Sequence, residues 1–231
     1  MLYIVSTPIG NPEDITLRAL RILREANAII CEELREGARL VHHLKIENEI
    51  IDLNEHTEHT RVPELIKRLQ RGDTLALISD HGTPLLADPG ARLVRQAIEQ
   101  QLDVSAVPGA SSLLAALVVS GLAMDRFRFV GMPPVKKDLR QQALRRLREE
   151  RDTWVIFDAP YRLSALLADL EQFVGGDRAL VVAFNLTMPD EKIVRGTIKS
   201  IVAHFGKHPF KGEFVAIVAG KEIDTRNWRT R

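Results

Sequence analysis

Short apolar runs alternate with helix-like patterns along the first half of the chain, and this alternation constrains the fold more than any other feature. The runs cover residues 2–6, 28–31, 49–53, 74–78 and 104–107. Each is followed by a loop and then by apolar residues at helical spacing. Because parallel strands need such crossover connections, the pattern predicts a parallel sheet that is covered by helices on both faces.

The second half of the chain has a different texture. Strand-like runs lie at residues 127–131, 155–157, 179–184, 192–195 and 213–218. The run at 192–195 follows its predecessor without an intervening helix, so this half is predicted to form a mixed sheet. We therefore predict two α/β domains, residues 1–116 and 117–231.

Composition excludes several classes of protein. The 231 residues carry 32 basic and 31 acidic side chains, which gives a net charge of +1. Because this charge gives no overall attraction for nucleic acid, any site for a polyanion has to be a local basic patch. The single cysteine, Cys31, cannot form an intramolecular disulfide, which fits a reducing compartment. No apolar run approaches the roughly 20 residues that a membrane helix needs. We expect a soluble cytoplasmic protein that does not bind a membrane.

Residues 55–59 combine two histidines with two glutamates. Their spacing is not that of the H-E-x-x-H zinc motif, and no second cysteine could complete a metal site. A solvated polar loop is the favoured interpretation, and no metal is predicted.

Three loops rich in glycine, proline and hydroxyl groups follow predicted strands. They read TPIGNPED at residues 7–14, SDHGTPLLADPG at 79–90 and VPGASS at 107–112. Loops at the carboxyl ends of neighbouring parallel strands form the usual ligand site of an open α/β sheet. None matches G-x-G-x-x-G or the P-loop, so a neutral or cationic ligand is favoured over a nucleoside triphosphate. The alternative is that these glycines only shape tight turns.

Basic residues are concentrated in one predicted helix, at residues 136–151. This helix is either a phosphate-contacting face for RNA or a solvated surface whose charge nearby acidic residues partly offset. The candidate RNA-binding residues are Lys136, Lys137, Arg140, Arg145 and Arg146.

Charged side chains at predicted strand ends are candidates for catalysis. Glu32 and Arg35 follow the second strand, and Glu213 opens the last one. A general base could sit at such a position, although a helix cap or a surface ion pair is the usual role of such a residue.

The sequence resembles the tetrapyrrole methylase superfamily in five segments that occur in the same order. The segments read LYIVSTPIGNPEDITLRALRIL, SDHGTPLLADPGARLVRQAI, VPGASSLLAAL, VRGT and KGEFVAIVAG. Within it they are most similar to the bacterial enzymes that methylate ribose 2′-hydroxyls of small-subunit ribosomal RNA. The resemblance implies an S-adenosylmethionine-dependent methyltransferase with two α/β domains and the cofactor in the cleft between them. It also implies a homodimer that acts on ribosomal RNA or the small ribosomal subunit.

The matched motifs also imply which residues contribute to the site. Glu32, Arg35 and Glu213 would assist catalysis or orient the acceptor. The residues that would surround the cofactor are Pro8, His81, Gly82, Thr83, Leu86, Ser111, Ser112, Phe157, Asn185 and Leu186.

The sequence departs from the superfamily pattern at several of these positions. In the superfamily motif S-D-A-G-T-P, this chain has His81 in place of the alanine. The superfamily motif F-Y-E-S-P-H-R corresponds to IFDAPYR at residues 156–162, so Asp158 stands where glutamate is usual. The chain also ends soon after KGEFVAIVAG. Two alternatives therefore stand beside the ribosomal RNA enzyme. One is a methyltransferase for a tetrapyrrole-like small molecule or a peptide, and the other is a cofactor-binding protein with impaired catalysis.

Overall fold

The fold was analysed in a computed structural model that describes residues 1–86, 88–208 and 210–221. The chain divides into two compact units between Ser111 and Ser112. This division falls at the start of a helix, α5 (Ser112–Ser120), whereas the sequence places the boundary within it, after residue 116. The whole helix goes with the second unit because it packs against strands of the second sheet.

The first unit contains five parallel strands in the spatial order β3-β2-β4-β1-β5. The predicted parallel sheet is therefore confirmed. Its strands are β1 (Leu2–Val5), β2 (Ala28–Cys31), β3 (Glu49–Asp52), β4 (Leu75–Ile78) and β5 (Val104–Val107). Its helices are α1 (Leu17–Glu25), α2 (Leu34–His43), α3 (Glu58–Gln70) and α4 (Ala91–Glu99).

Helices cover both faces of this sheet, which explains why its central strands read as continuous apolar runs. Every residue of β2 and β4 is buried. On one face, α1 and α2 contribute residues such as Leu23 and Val41 to the core. On the other, α3 and α4 contribute residues such as Leu65 and Leu93. A sheet buried on both sides has no polar face, and so its strands lack alternation.

Helix α3 begins earlier than the sequence predicts. The interpretation of residues 55–59 as a loop is wrong at its end, because Glu58 and His59 already belong to α3, which also contains Pro63. The reason is the Asn54 side chain, whose Oδ1 accepts hydrogen bonds from the backbone N–H groups of His56 and Thr57. These bonds hold the turn ahead of the helix, and the Asn54 carbonyl accepts a bond of 2.9 Å from the N–H of Glu58, the first residue of α3.

The second unit contains a mixed five-stranded sheet, as predicted, in the order β6-β7-β10-β8-β9. Strands β6 and β7 are parallel, whereas the β7-β10, β10-β8 and β8-β9 pairs are antiparallel. The strands are β6 (Phe127–Gly131), β7 (Thr153–Phe157), β8 (Ala179–Phe184), β9 (Lys192–Thr197) and β10 (Phe214–Val218). Besides α5, the helices are α6 (Lys137–Leu147), α7 (Leu163–Phe173) and α8 (Ile198–Lys207).

The core of the second unit lies between its sheet and helices α6, α7 and α8. Trp154 and Phe184 are fully buried there, together with Leu170 of α7 and Ile201 of α8. In the part of the chain that the structure describes, no helix is long and apolar enough to cross a bilayer.

Candidate functional site

The loop after β1 is bonded directly to the loop after β4. The Thr7 N–H donates to the Gly82 carbonyl at 2.9 Å, and the Gly82 N–H donates to Thr7 Oγ1 at 3.1 Å. The Thr7 hydroxyl in turn donates to the Ser79 carbonyl at 3.0 Å. Since Thr7 and Ser79 are buried, these bonds form in a place where water competes poorly and fix one loop against the other.

The loop after β5 joins the same cluster. Thr83 Oγ1 donates to the Ala110 carbonyl at 3.0 Å and lies 3.1 Å from Ser6 Oγ. Gly109 packs so closely that an added Cβ would lie 3.0 Å from the Ser6 Cβ. The three loops singled out in the sequence are therefore in contact at the carboxyl ends of β4, β1 and β5, which are neighbours in the sheet.

Gly82 is required by its conformation and by its surroundings. Its φ is +86°, in the left-handed region, and an ideal Cβ would lie 2.9 Å from Cγ2 of Ile9 and 3.6 Å from the Ala110 carbonyl oxygen. The backbone at Gly82 thus has no side chain and is fixed by its hydrogen bonds to Thr7, as in loops that bring main-chain groups close to a ligand.

The sheet topology has a switch point at these loops. The connection from β1 runs through α1 to β2, and the connection from β4 runs through α4 to β5, in the opposite direction along the sheet. The two helices also pack on opposite faces. The loops that leave the adjacent strands β1 and β4 therefore diverge, and such switch points are where open α/β sheets bind ligands.

Most of the cofactor residues predicted in the first unit meet here. Pro8 and Gly82 are buried, Thr83 and Ser111 are half-buried, and Ser111 Cα lies within 3.9 Å of the position of a Cβ on Gly82. His81 is exposed, and its backbone is held by hydrogen bonds of 3.2 Å to Ser79 Oγ. Leu86 is partly exposed on the same loop, and Ser112 begins α5.

The other predicted cofactor residues meet within the second unit. Phe157 ends β7 and pairs with Val215, and the Asn185 N–H donates to the Glu213 carbonyl at 3.0 Å. Leu186 is buried beside Asn185. The ends of β7 and β8 and the start of β10 thus lie at the same edge of the second sheet, as their antiparallel pairing requires.

The turn after β8 carries an unusual backbone. Asn185 and Thr187 have φ values of 43° and 66° although neither is glycine. Asn185 also donates from Nδ2 to Asp190 at 2.7 Å, and Gly212 approaches so closely that an added Cβ would lie 2.5 Å from Asn185 Oδ1. Left-handed residues of this kind persist only where the surroundings fix them, and they are concentrated at functional sites.

Glu32 stands out among the candidate catalytic residues. Burial raises the pKa of its carboxyl, and the negative charges of Asp88, Asp80, Glu33 and Glu55 raise it further. Glu32 therefore interacts with both ends of the SDHGTPLLADPG loop, and a carboxylate made more basic in this way is suited to accept a proton. Of the other candidates, Arg35 is exposed in the first turn of α2, and Glu213 is exposed just before β10.

Glu32 lines an open groove of about 790 Å³ in the first unit. Arg92 and Arg95 of α4 contribute positive charge to it. Its acidic residues are Glu32, Glu33, Glu55, Glu58, Asp88 and Glu99. In the described ranges, no group of three or more histidine, cysteine, aspartate or glutamate side chains is arranged to hold a metal ion.

The predicted basic helix is α6, and its cations are not equivalent. Lys136, Lys137 and Arg146 are exposed. The guanidinium of Arg145 lies 4.6 Å from the centre of the Phe173 ring. Arg140 is only 11% exposed and forms an ion pair of 2.6 Å with Asp169 of α7. The structure thus places Arg140 between helices, where it is already paired, and leaves the other four cations nearer the surface.

Sequence reasoning missed the hydroxyl groups of Ser6 and Thr7 as parts of the site. They bind the loop after β4 across more than 70 positions of sequence. The signal was weak, since it consists of two small hydroxyl residues between a strand and a proline. It also missed Asp80, whose Oδ1 is buried and has no hydrogen-bond partner in the described part of the chain.

The fold and the loop cluster define an α/β protein with a candidate ligand site at the carboxyl edge of a parallel sheet. Solved structures share this fold over nearly the whole chain. Diphthine synthase matches with a TM-score of 0.71 at 15% identity, covering 96% of this chain and 90% of that one. Uroporphyrin-III-C-methyltransferase from Thermus thermophilus matches with a TM-score of 0.66 at 20% identity, covering 94% and 93%.

Sequence comparison defines the family. Residues 1–202 match the tetrapyrrole (corrin/porphyrin) methylases. Proteins named ribosomal RNA small subunit methyltransferase I are similar to this chain over nearly all of its length. The one from Synechocystis sp. is 42% identical, covering 98% of this chain and 81% of its own, and the one from Thermotoga maritima is 36% identical, covering 96% and 99%. The chain belongs to the tetrapyrrole methylase family, and the protein is a methyltransferase.

Proposed function

We propose that this protein transfers the methyl group of S-adenosylmethionine to a ribose 2′-hydroxyl of small-subunit ribosomal RNA in the cytoplasm. The relatives with 36–42% identity carry the name of a small-subunit ribosomal RNA methyltransferase. The observation that carries the proposal is the cluster of hydrogen-bonded loops around Gly82, because it lies in the motif that resembles the cofactor site of these enzymes.

The residues of the loop cluster fit S-adenosylmethionine. Gly82 lets the loops after β1, β4 and β5 pack closely, because a Cβ there would lie 2.9 Å from Ile9 Cγ2, and the hydroxyls of Ser6 and Thr83 offer polar partners. The buried Oδ1 of Asp80 has no partner among the described residues and could accept a hydrogen bond from a cationic ligand. The neighbouring carboxylates of Glu32 and Asp88 also favour a cation. When bound, the cofactor supplies an electrophilic methyl group on a sulfonium.

The protein's own groups would act on the acceptor. In methyl transfer an O–C bond forms as the C–S bond breaks, and the hydroxyl proton has to leave. Glu32 is the candidate best suited to take this proton, because burial and neighbouring carboxylates raise its pKa. Arg35 and Glu213 would orient the RNA or the cofactor. Positioning of the two reactants supplies much of the rate.

The exposed cations of α6 would hold the RNA through its phosphates. Lys136, Lys137 and Arg146 are exposed, and Arg145 lies over Phe173 at the helix surface. Arg140 is left out of this set because it is paired with Asp169. Replacing any one phosphate-binding cation should reduce the slope of log affinity against log salt by about one.

The relatives that support this proposal are matched over different shares of their own length. The chain covers 81% of the Synechocystis sp. relative but 99% of the Thermotoga maritima one. Proteins that carry this name therefore differ in length. We also propose a homodimer, from the family resemblance, and mass measurement by light scattering tests it.

The deciding experiment supplies radiolabelled S-adenosylmethionine and small ribosomal subunits from a strain that lacks its own enzyme of this kind. We expect label in a ribose of the RNA, found by nuclease digestion and chromatography. A Lys136→Glu/Lys137→Glu variant should lose transfer, and Arg21→Glu, an exposed α1 change, should retain it. Cofactor binding without labelled RNA would favour a small-molecule or peptide acceptor or a protein with impaired catalysis. No cofactor binding in calorimetry would refute the proposal.

A further inference from the structure

Tyr161 presents an aromatic ring to solvent in the second unit. Its relative exposure is 85%, although it lies in a 3₁₀ turn, Pro160–Arg162, directly after β7. A large aromatic side chain gains nothing for folding in such a position. Exposed aromatic residues on well-held backbone are typical of binding surfaces.

The backbone on both sides of Tyr161 is fixed by a buried ion pair. The Asp158 side chain is 1% exposed, accepts a hydrogen bond from the Ala159 N–H at 2.9 Å and lies 3.1 Å from Arg162 Nη1. Arg162 Nη2 also donates to the carbonyls of Pro133 and Pro134, at 3.1 and 3.2 Å. One guanidinium therefore ties the turn that carries Tyr161 to the segment between β6 and α6.

This tie joins the turn that carries Tyr161 to the segment that leads into the exposed cations. Pro134 is followed by Val135, which is 76% exposed, and then by Lys136 and Lys137, both exposed. Consecutive Cα atoms are only about 3.8 Å apart, so the lysines begin within about 12 Å of the Arg162 contact. An exposed aromatic ring on a turn that is bonded to a proline-containing segment with two lysines offers the two kinds of contact that bind single-stranded nucleic acid, namely base stacking and phosphate contacts.

We propose that Tyr161 is a stacking platform for an unpaired base of the RNA substrate, with Lys136 and Lys137 contacting the adjacent phosphates. This inference rests on the proposed function and adds that the substrate is read as a single strand. Bases in an A-form duplex are already stacked on each other and present no free face, so a duplex would gain little from the ring. Arg162 is the positioning residue, because it holds the turn that carries the ring.

The test measures RNA affinity with and without the ring. The probe is a fluorescein-labelled single-stranded oligoadenylate, and its duplex with oligouridylate is the comparison. Tyr161→Ala should weaken single-strand binding about tenfold and leave duplex binding unchanged. Tyr161→Phe, which retains the ring, should bind like the wild type. Ile98→Ala, an exposed apolar residue of α4 in the first unit, is the control for loss of surface area.

A spectroscopic readout distinguishes stacking from a general loss of structure. A 2-aminopurine base in the oligonucleotide loses fluorescence when it stacks, and we expect this quenching with wild type and Tyr161→Phe but not with Tyr161→Ala. Arg162→Gln should reduce the quenching while Tyr161 remains. Calorimetry with S-adenosylmethionine should give the same affinity for all variants.

Two results would overturn the inference. One is equal affinity of wild type and Tyr161→Ala for the single strand. The other is a change of oligomeric mass in Tyr161→Ala, which would assign the ring to a contact between copies of the chain. Both are distinct from failure of the proposed function, which would appear as absence of methyl transfer to ribosomal subunits by the wild type.

Discussion

Gly82→Ala would place a methyl group where the loops after β1, β4 and β5 meet. The residue has φ of +86°, and a left-handed backbone costs an L-residue about 1–2 kcal/mol. The new Cβ would also lie 2.9 Å from Cγ2 of Ile9, which is buried and has little space to move. Overpacking of this kind costs about 1–3 kcal/mol. We expect the free energy of unfolding of the first unit to fall by roughly 2–5 kcal/mol in total.

Gly72→Ala is a matched control for the backbone cost. Gly72 has φ of +97°, and nothing lies within 4 Å of its ideal Cβ, so this variant carries the conformational penalty without the contact. Native-state hydrogen exchange at amides of β1 and β4 reports the stability of the first unit separately from the second. The difference between the two variants measures the contact with Ile9.

A double variant tests that contact directly. Ile9→Leu removes Cγ2 while it keeps the side-chain volume, so it should relieve part of the loss in Gly82→Ala, with a coupling energy of about 1 kcal/mol. Cofactor affinity should fall in Gly82→Ala and not in Gly72→Ala. The reasoning is refuted if the two alanine variants are equally stable, or if Ile9→Leu gives no recovery.

Three further predictions concern charge and burial. Asp169→Asn leaves the Arg140 guanidinium buried without its counter-charge and should cost about 3 kcal/mol in denaturant unfolding. Burial raises the pKa of the Cys31 thiol to about 12, so this thiol should resist thiol reagents in the folded protein. The free energy of unfolding should fall as pH rises from about 9 towards 12, because in that range the thiol ionises only in the unfolded state. Asp88→Asn should lower the raised pKa of Glu32, measured by carbon-13 NMR titration, and shift any Glu32-dependent limb of the pH–rate profile to lower pH.

Each of these predictions has its control. The exposed pair Arg21 and Glu25 is 2.8 Å apart, and Glu25→Gln should change stability by less than about 0.5 kcal/mol. A loss of similar size for Asp169→Asn would contradict the argument from burial. Rapid labelling of Cys31 in the native protein would contradict the second prediction. Glu99→Gln, in the same groove as Glu32, should move the Glu32 pKa much less than Asp88→Asn does.

The sequence by itself determined the secondary structure of both units. Apolar runs with intervening helices specified a parallel sheet, and the close succession of β8 and β9 specified a mixed one. These patterns are readable because a strand or helix must bury one periodic set of side chains. The start of α3 was less readable, because it depends on a single side chain, Asn54, which accepts bonds from two backbone N–H groups.

The loops of the candidate site were visible in the sequence as glycine-rich and proline-rich segments, and the family motifs predicted which of their residues surround the cofactor. Only the tertiary structure decided that Thr7 and Thr83 bind these loops together, that Asp169 pairs with Arg140 from 29 positions away, and that Arg162 holds the turn beneath Tyr161. The physical reason is that such contacts join residues far apart in the chain, and local periodicity carries no information about which distant donor will meet which acceptor.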